Sequence, residues 1–285
     1  MLDGHIHILD GCQDREKFLD KLYQAEMQGG LLISRPPASF ATIAPAAPAA
    51  ERLENLLYWC EAGPDLYPFY WIDPLEEDAL TQVEMASQSG VMGFKVICDR
   101  YYAGDTRVLP IFQAIAALDR PILFHSGILW DGKPSSQYNR PLAFESLLQV
   151  QGLCFALAHV AWPWCDELIA MYGKFLNAQV GNPELMVEMF IDLTPGTPPI
   201  YRRQALVNLF SVGYDVQHNA IFGSDCNANE YNTAWTQQWI EHDHAIFKEL
   251  DLSEDVIANI YTENLKRFVG ISTRKIEREL PKPGE

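Results

Sequence analysis

Basic residues are scarce in this chain of 285 residues, which contains 21 Lys and Arg against 38 Asp and Glu and has a formal net charge of −17. Nucleic-acid binding needs a concentrated basic face that neutralises phosphates, and the sequence shows no such cluster. We therefore expect no nucleic-acid partner. The acidic balance leaves the charge of a small-molecule cleft open, because a cleft carries its own local sign.

Cysteine motifs and long apolar runs are also missing. The six cysteines form no CxxC pair, and their spacing matches neither a zinc ribbon nor a disulfide framework. No apolar run reaches the roughly 18 residues that a membrane span requires. The first residues show neither the basic nor the apolar region of a signal peptide. We therefore expect reduced cysteines, no membrane association and a cytoplasmic location.

Eight short apolar runs, rich in β-branched and aromatic residues and bounded by turn residues, recur along the chain. These predicted strands are Leu2–Leu9, Gly30–Ser34, Leu66–Asp73, Gly90–Ile97, Pro121–Ser126, Leu153–Val160, Met189–Thr194 and Asn219–Asp225. Helical patterns separate most of them. An open doubly wound sheet could hold the same units, but its usual Gly-rich turn after the first strand is missing.

Eight strands that alternate with helices are the number that closes a (β/α)₈ barrel, and the chain length suits one. We predict an α/β protein with a single TIM-barrel domain over residues 1–285. The final helical segment, Ser253–Phe268, is expected to close the barrel, and the tail from Arg274 is expected to be mobile. The irregular stretches Arg35–Ala50, Ile128–Pro141 and Leu193–Pro199 follow strands, which places them at the carboxyl face.

Two histidines stand two residues apart in the first predicted strand. Period-2 alternation puts the imidazoles of His5 and His7 on one face, toward the barrel interior. Two neutral imidazoles on one face make half of a first-row metal site. Taken alone, the pair is equally explained by two polar residues held near a strand end.

Further ligand-type residues end other predicted strands. His125 ends the fifth strand, His159 the sixth and Asp225 the eighth, and the carboxyl ends of barrel strands converge on one mouth. Core filling does not explain them, because each buried polar ring or carboxylate needs a partner. Coordination of a divalent metal would satisfy several of them together, so the sequence predicts a metal centre at this mouth.

In these motifs the chain resembles the amidohydrolase superfamily, specifically the branch that includes aminocarboxymuconate-semialdehyde decarboxylase and related hydrolases. The matching pieces occur in order across essentially the whole chain, and they are DGHIH, FHSG, LAHV, FGSD and IYTENLKRF. The resemblance implies a barrel with one catalytic divalent metal, usually zinc. It also implies His5, His7, His125 and Asp225 as metal ligands, with His159 beside the metal-activated water.

Three functions remain open at this point. A divalent metal activates water and polarises a carbonyl, with Asp225 as proton acceptor and His159 as oxyanion or leaving-group partner. Hydrolysis of a small amide, ester or lactone is therefore the first expectation. Non-oxidative decarboxylation of a small carboxylate is the alternative, because the same metal supports it and the resembling branch includes such enzymes. A non-catalytic binding barrel is the third, which the full ligand set disfavours.

Lys95 lies in the fourth predicted strand, where the resemblance offers a carboxylated lysine that bridges two metals, with His125 and His159 shared between them as further possible ligands. The alternatives are that its ammonium neutralises a nearby carboxylate or that it points outward to water. We expect one metal. Near the end of the seventh predicted strand, Asp192 is expected to partner a metal-site histidine.

Side chains in the loops after the strands are candidates for substrate contacts. Arginine can bind a carboxylate through two hydrogen bonds, and aromatic rings can wall an apolar pocket. The candidates are Arg35, Arg140, Tyr138, Trp130, Trp162 and Arg202. The partner is expected to be a small molecule, with a carboxylate as one option. A homodimer is an open alternative for the assembly.

Overall fold

The computed structural model describes residues 1–11, 14–63 and 65–272, so the predicted mobile tail from Arg274 lies outside the described residues. Each of the eight predicted strands is present, with its ends shifted by a few residues. The strands are β1 (Leu2–His7), β2 (Gly29–Ile33), β3 (Leu66–Trp71), β4 (Gly93–Val96), β5 (Ile122–Phe124), β6 (Cys154–Leu157), β7 (Glu188–Asp192), β8 (Ala220–Ile221) and β9 (Cys226–Asn227).

Helices follow most of the strands. They are α1 (Arg15–Gln24), α2 (Ala49–Cys60), α3 (Ala79–Gln88), α4 (Leu109–Ala117), α5 (Cys165–Gly181), α6 (Pro199–Ser211), α7 (Thr233–Glu249), α8 (Glu254–Ala258) and α9 (Asn264–Phe268). Between β5 and β6 the 3₁₀ segments Ser136–Asn139 and Pro141–Gln149 stand where an α-helix would normally pack. Among the described residues no helix is long and apolar enough to cross a membrane.

The sheet closes through β8, which lies within the eighth predicted strand, and through β9, which begins directly after that strand. All neighbouring strands are parallel, and β8 pairs with β7 while β9 pairs with β1. The backbone N–H of Gly4 donates to the Phe222 carbonyl at 2.8 Å, and that of Asp225 donates to the His5 carbonyl at 3.0 Å. These bonds join β1 to the connection between β8 and β9. The predicted (β/α)₈ TIM barrel is therefore confirmed.

The core has two parts because strand side chains alternate between the helices and the barrel interior. Interior-facing residues such as Leu31, Phe69 and Phe190 form a cluster of their own. Phe268 of α9 joins this cluster, with its ring centroid 5.9 Å from that of Phe69 and 5.1 Å from that of Phe190. The predicted role of Ser253–Phe268 in closing the barrel is confirmed, and the opposite, carboxyl face stays available for a site.

Candidate metal centre

The two histidines of β1 point into the barrel, as their spacing predicts. Ile6 and Ile8, which alternate with them, belong to the core between the strands and the helices. The imidazole nitrogens His5 Nε2 and His7 Nε2 lie 3.1 Å apart. Both rings therefore aim one nitrogen at the same point near the carboxyl end of β1.

A carboxylate sets the tautomer of His5. The Nδ1–H of His5 donates to Asp192 Oδ2 at 2.6 Å, and both side chains are buried. Asp192 is itself held at the end of β7 by the Thr194 backbone N–H at 2.6 Å and by the Thr194 hydroxyl. With its proton on Nδ1, His5 presents the lone pair of Nε2 to the centre, so the predicted partnership of Asp192 with a histidine is confirmed.

Asp225 completes a triangle of ligand atoms. Its Oδ1 lies 3.6 Å from His5 Nε2 and 3.4 Å from His7 Nε2. A point equidistant from three atoms with these separations lies about 2 Å from each, which is the length of a zinc–nitrogen or zinc–oxygen bond. With both Nε2 atoms deprotonated, three lone pairs would converge on this point, and a divalent cation would remove their mutual repulsion. The residues present therefore fit a metal.

His159 and His125 lie on the other side of this triangle. Ligand atoms of His5, His159 and Asp225 all lie within 4.8 Å of one another. The His159 ring centroid is 5.3 Å from that of His5 and 4.9 Å from that of His125. His125 Nε2 lies 3.2 Å from the Ile128 carbonyl, and donation to that oxygen leaves Nδ1 with the free lone pair. All five predicted residues thus meet at one mouth.

The backbone after β6 redirects His159. Ala156 and Ala158 both belong to the barrel interior, so simple alternation would turn His159 outward toward the helices. Instead His159, Val160 and Ala161 have φ values of 64°, 48° and 52°, a left-handed turn that is strained for residues with a Cβ. This turn, which the sequence does not signal, brings the imidazole to the mouth.

Gly196 makes room for the His159 ring from the loop after β7. A Cβ on Gly196 would lie 2.7 Å from the Cβ of His159 and 3.0 Å from its Cγ. Any larger residue would push the imidazole. Sequence reasoning did not single out Gly196, and only its position in a loop after a strand hinted at the site.

Burial prepares these side chains for a cation. It lowers the pKa of His5, His125 and His159, and the nearby ammonium of Lys95 lowers each of them further. For Asp225, burial opposes ionisation, but hydrogen bonding from His7 and the electrostatic interaction with the histidines outweigh it and hold the pKa of this carboxyl below its ordinary value. Neutral imidazoles and an ionised carboxylate are the forms that bind metal.

Lys95 points inward from β4, which contradicts the alternative of an outward, solvated lysine. Its side chain is buried, and its Nζ has no hydrogen-bond partner among the described residues. Burial lowers the pKa of Lys95 to about 8, while the charges of Asp192 and Asp225 oppose that shift. The ammonium therefore offsets two carboxylates of the site, and the bridging role stays a prediction.

A small cleft opens onto the centre at the carboxyl face. Its volume is about 150 Å³, and its lining comprises His125, Ser126, Ile128, Trp130, His159, Trp162, Pro195, Gly196 and Asp225. The Asp225 side chain is 37% exposed there, so its carboxylate is within reach of a bound molecule. Of the six predicted substrate contacts, the structure brings Trp130 and Trp162 to this lining.

The other candidates lie elsewhere. Arg35 pairs with Glu51 at 2.7 Å, and Arg140 pairs with Glu167 at 2.5 Å. Neither of these arginines, nor Tyr138, belongs to the described lining of the cleft. The structure therefore does not place these three residues where a substrate beside the centre would meet them.

Arg202 requires a correction. Its side chain has no exposed surface, and it donates to both carboxylate oxygens of Asp243, at 3.0 and 2.6 Å, and to the Leu193 carbonyl at 2.6 Å. The prediction that it binds substrate is wrong, because the fork is buried in an ion pair between α6 and α7. Its sequence position after β7 gave no sign of a partner 41 residues away.

The fold and the site define a TIM barrel with a histidine and aspartate centre at its carboxyl face. The family model described as amidohydrolase matches residues 3–271, and the chain belongs to this family. A comparison with curated protein sequences gives no match.

Solved structures with the same fold differ in the reactions that their names give. A 2,6-dihydroxybenzoate decarboxylase, solved with 2,6-dihydroxybenzoate, is 16% identical with a TM-score of 0.61, over 94% of this chain and 97% of that one. A 4-oxalomesaconate hydratase from Rhodopseudomonas palustris is 14% identical with a TM-score of 0.60, over 94% and 95%. An N-isopropylammelide isopropylaminohydrolase from Burkholderia multivorans ATCC 17616 is 14% identical with a TM-score of 0.52, over 94% and 74%. These likenesses show the fold.

Proposed function

We propose that this chain is a metal-dependent hydrolase that acts on a small amide, ester or lactone. The observation that carries the proposal is the convergence of His5 Nε2, His7 Nε2 and Asp225 Oδ1, with separations of 3.1 to 3.6 Å, beside a cleft. We propose His5, His7, His125 and Asp225 as ligands of a single divalent cation, with zinc as the expected metal. Imidazole and carboxylate ligands at these spacings suit it.

The side chains around the centre divide the proton transfers of such a reaction. When bound, a divalent cation acidifies water and polarises a carbonyl group. The ionised Asp225 carboxylate faces the cleft and accepts the proton of the attacking water. The neutral imidazole of His159 donates a hydrogen bond to the developing oxyanion, and Asp225 passes the proton taken from water to the leaving group.

Non-oxidative decarboxylation is the second candidate. The same centre would hold and polarise a small carboxylate substrate, and 2,6-dihydroxybenzoate decarboxylase shares the fold. The two candidates differ in their products, because a decarboxylase releases CO₂ and consumes no water.

Elemental analysis combined with product analysis tests the proposal. We expect about one divalent metal per purified chain, and we expect a panel of small esters, lactones and amides to yield acid products without CO₂. Asp225→Asn should lower kcat by a factor of about 10² to 10⁴, as expected for loss of a positioned acid–base group. The control is Asp20→Asn, which removes an exposed carboxylate of α1. A chain without stoichiometric metal, or an Asp225→Asn variant with unchanged activity, would overturn the proposal.

A further inference from the structure

Two indole rings line the cleft beside the centre, and their surroundings are apolar. Trp130 is 81% exposed, an unusual state for the largest apolar side chain. The Trp162 ring stacks on Tyr201, with centroids 6.1 Å apart and planes 26° apart. The rim of the cleft therefore presents apolar surface that a bound molecule would remove from water.

The loops that carry the two tryptophans are held together. The backbone N–H of Ile128 donates to the Trp162 carbonyl at 3.1 Å. At Gly127, with φ of 93°, a Cβ would lie 2.5 Å from that same carbonyl oxygen, so the two backbones approach as closely as glycine permits. The two loops that carry the indoles are thus fixed relative to each other, so a ligand at the centre would contact both rings without a rearrangement of these loops.

The described side chains that line the cleft include a carboxylate but no lysine or arginine. The carboxylate is that of Asp225, whose side chain is 37% exposed. The arginines predicted to bind a carboxylated substrate are engaged with Glu51, Glu167 and Asp243. Lys95 is buried and does not belong to the described lining. A carboxylate on the part of a substrate that lies away from the reacting group would find no cation there.

From these observations we infer that Trp130 and Trp162 select a substrate whose body is a flat, uncharged ring. The inference rests on the proposed function for the position of the reacting group, and it names the substrate class of that site. Stacking on an aromatic wall adds to the burial of apolar surface, and the described lining offers no lysine or arginine to pair with a second anionic group. The cleft of about 150 Å³ lies below the roughly 300–1,000 Å³ typical of ligand sites, so the substrate is small.

Hydroxamic acids test the inference on the zinc-loaded full chain. All of them bind a metal through the same chelating group, and they differ only in the substituent attached to it. Isothermal titration calorimetry should show benzohydroxamic acid binding about tenfold more tightly than acetohydroxamic acid, as expected for one stacked ring. The 4-carboxy derivative of benzohydroxamic acid should lose that gain. Trp130→Ala and Trp162→Ala should each bring the benzo-to-aceto ratio toward one, and Trp162→Phe should restore part of it. Equal binding of the benzo and aceto compounds would overturn the inference.

A matched control and a metal-free measurement separate this inference from the proposed function. Tyr23→Ala, which truncates a 54% exposed aromatic residue of α1, should leave the ratio unchanged. Saturation-transfer NMR on the metal-free chain should show benzamide bound in preference to acetamide and to 4-carbamoylbenzoate, and Trp162→Ala should abolish the preference. If the chain retains no zinc but this preference holds, the hydrolase proposal fails and the inference stands. If 4-carbamoylbenzoate binds as well as benzamide, the inference fails whatever the metal content.

Discussion

At the scale of single residues, the centre depends on how each ring is oriented by a neighbour. The 2.6 Å hydrogen bond from His5 Nδ1 to Asp192 sets which nitrogen faces the other ligands. His7 shows the contrast, because its Nδ1 is buried and has no hydrogen-bond partner among the described residues. Of the two histidines on β1, His5 is therefore the one whose orientation rests on Asp192.

Asp192→Asn should weaken metal binding by a factor of about 10 to 100, the usual cost of losing a carboxylate that orients a ligating histidine. The amide keeps the size of the side chain but no longer offers an ionised acceptor to the Nδ1–H of His5. Competition against a chromophoric chelator measures the affinity. Asp20→Asn serves as the control, and an Asp192→Asn affinity equal to that of the parent chain would contradict the role assigned to Asp192.

At the scale of elements, the ion pair of Arg202 and Asp243 ties α6 to α7 behind the carboxyl face. Both side chains have no exposed surface, and Arg202 also donates to the Leu193 carbonyl in the loop after β7. Burial raises the pKa of Asp243, but the charge of Arg202 outweighs it and holds that pKa below its ordinary value. The pair thus supports the loop that carries Gly196 to the ring of His159.

Arg202→Met should lower the free energy of unfolding by about 3–5 kcal/mol, because it leaves the Asp243 carboxylate buried without its partner. The double variant Arg202→Met, Asp243→Leu should recover most of this loss, since no uncompensated charge remains. Denaturant unfolding at neutral pH measures both. Arg203→Met, which removes an exposed ion pair with Glu249, should leave the stability almost unchanged. A double variant less stable than the single one would contradict this account.

At the scale of the whole molecule, the proposed cation would link parts of the chain that are far apart in sequence. Its proposed ligands come from β1, from the residue after β5 and from the connection between β8 and β9, the place where the barrel closes. A ligand that binds only the folded state stabilises that state by mass action. Metal binding and barrel closure should therefore be coupled.

Removing the metal with a chelator should lower the Tm of the purified chain by several degrees. Saturation at about 100 times Kd corresponds to about 2.7 kcal/mol of stabilisation, and a domain of this size loses about 2–4 °C per kcal/mol. In His5→Ala the Tm should be insensitive to the chelator, because a ligand is already missing. Differential scanning calorimetry measures the shift. A parent chain whose Tm does not respond to chelator and is not raised by added zinc would contradict the coupling.

Local pattern by itself determined the strand count, the barrel class and the inward orientation of His5 and His7, because alternation along a strand is set by the backbone and needs no distant contact. The order of His125, His159 and Asp225 at strand ends placed these residues near one mouth, because the carboxyl ends of barrel strands converge there. These features can be read from the local sequence pattern, because that pattern does not depend on contacts between distant segments.

Tertiary structure alone decided the rest. The left-handed turn that redirects His159, the space left by Gly196 and the pairing of Arg202 with Asp243 depend on segments 37 to 41 residues apart or on strained backbone, and no local pattern encodes them. An arginine after a strand is equally suited to a substrate and to a buried carboxylate. Packing chooses between them, because a buried charge requires a partner that only the folded chain can bring to it.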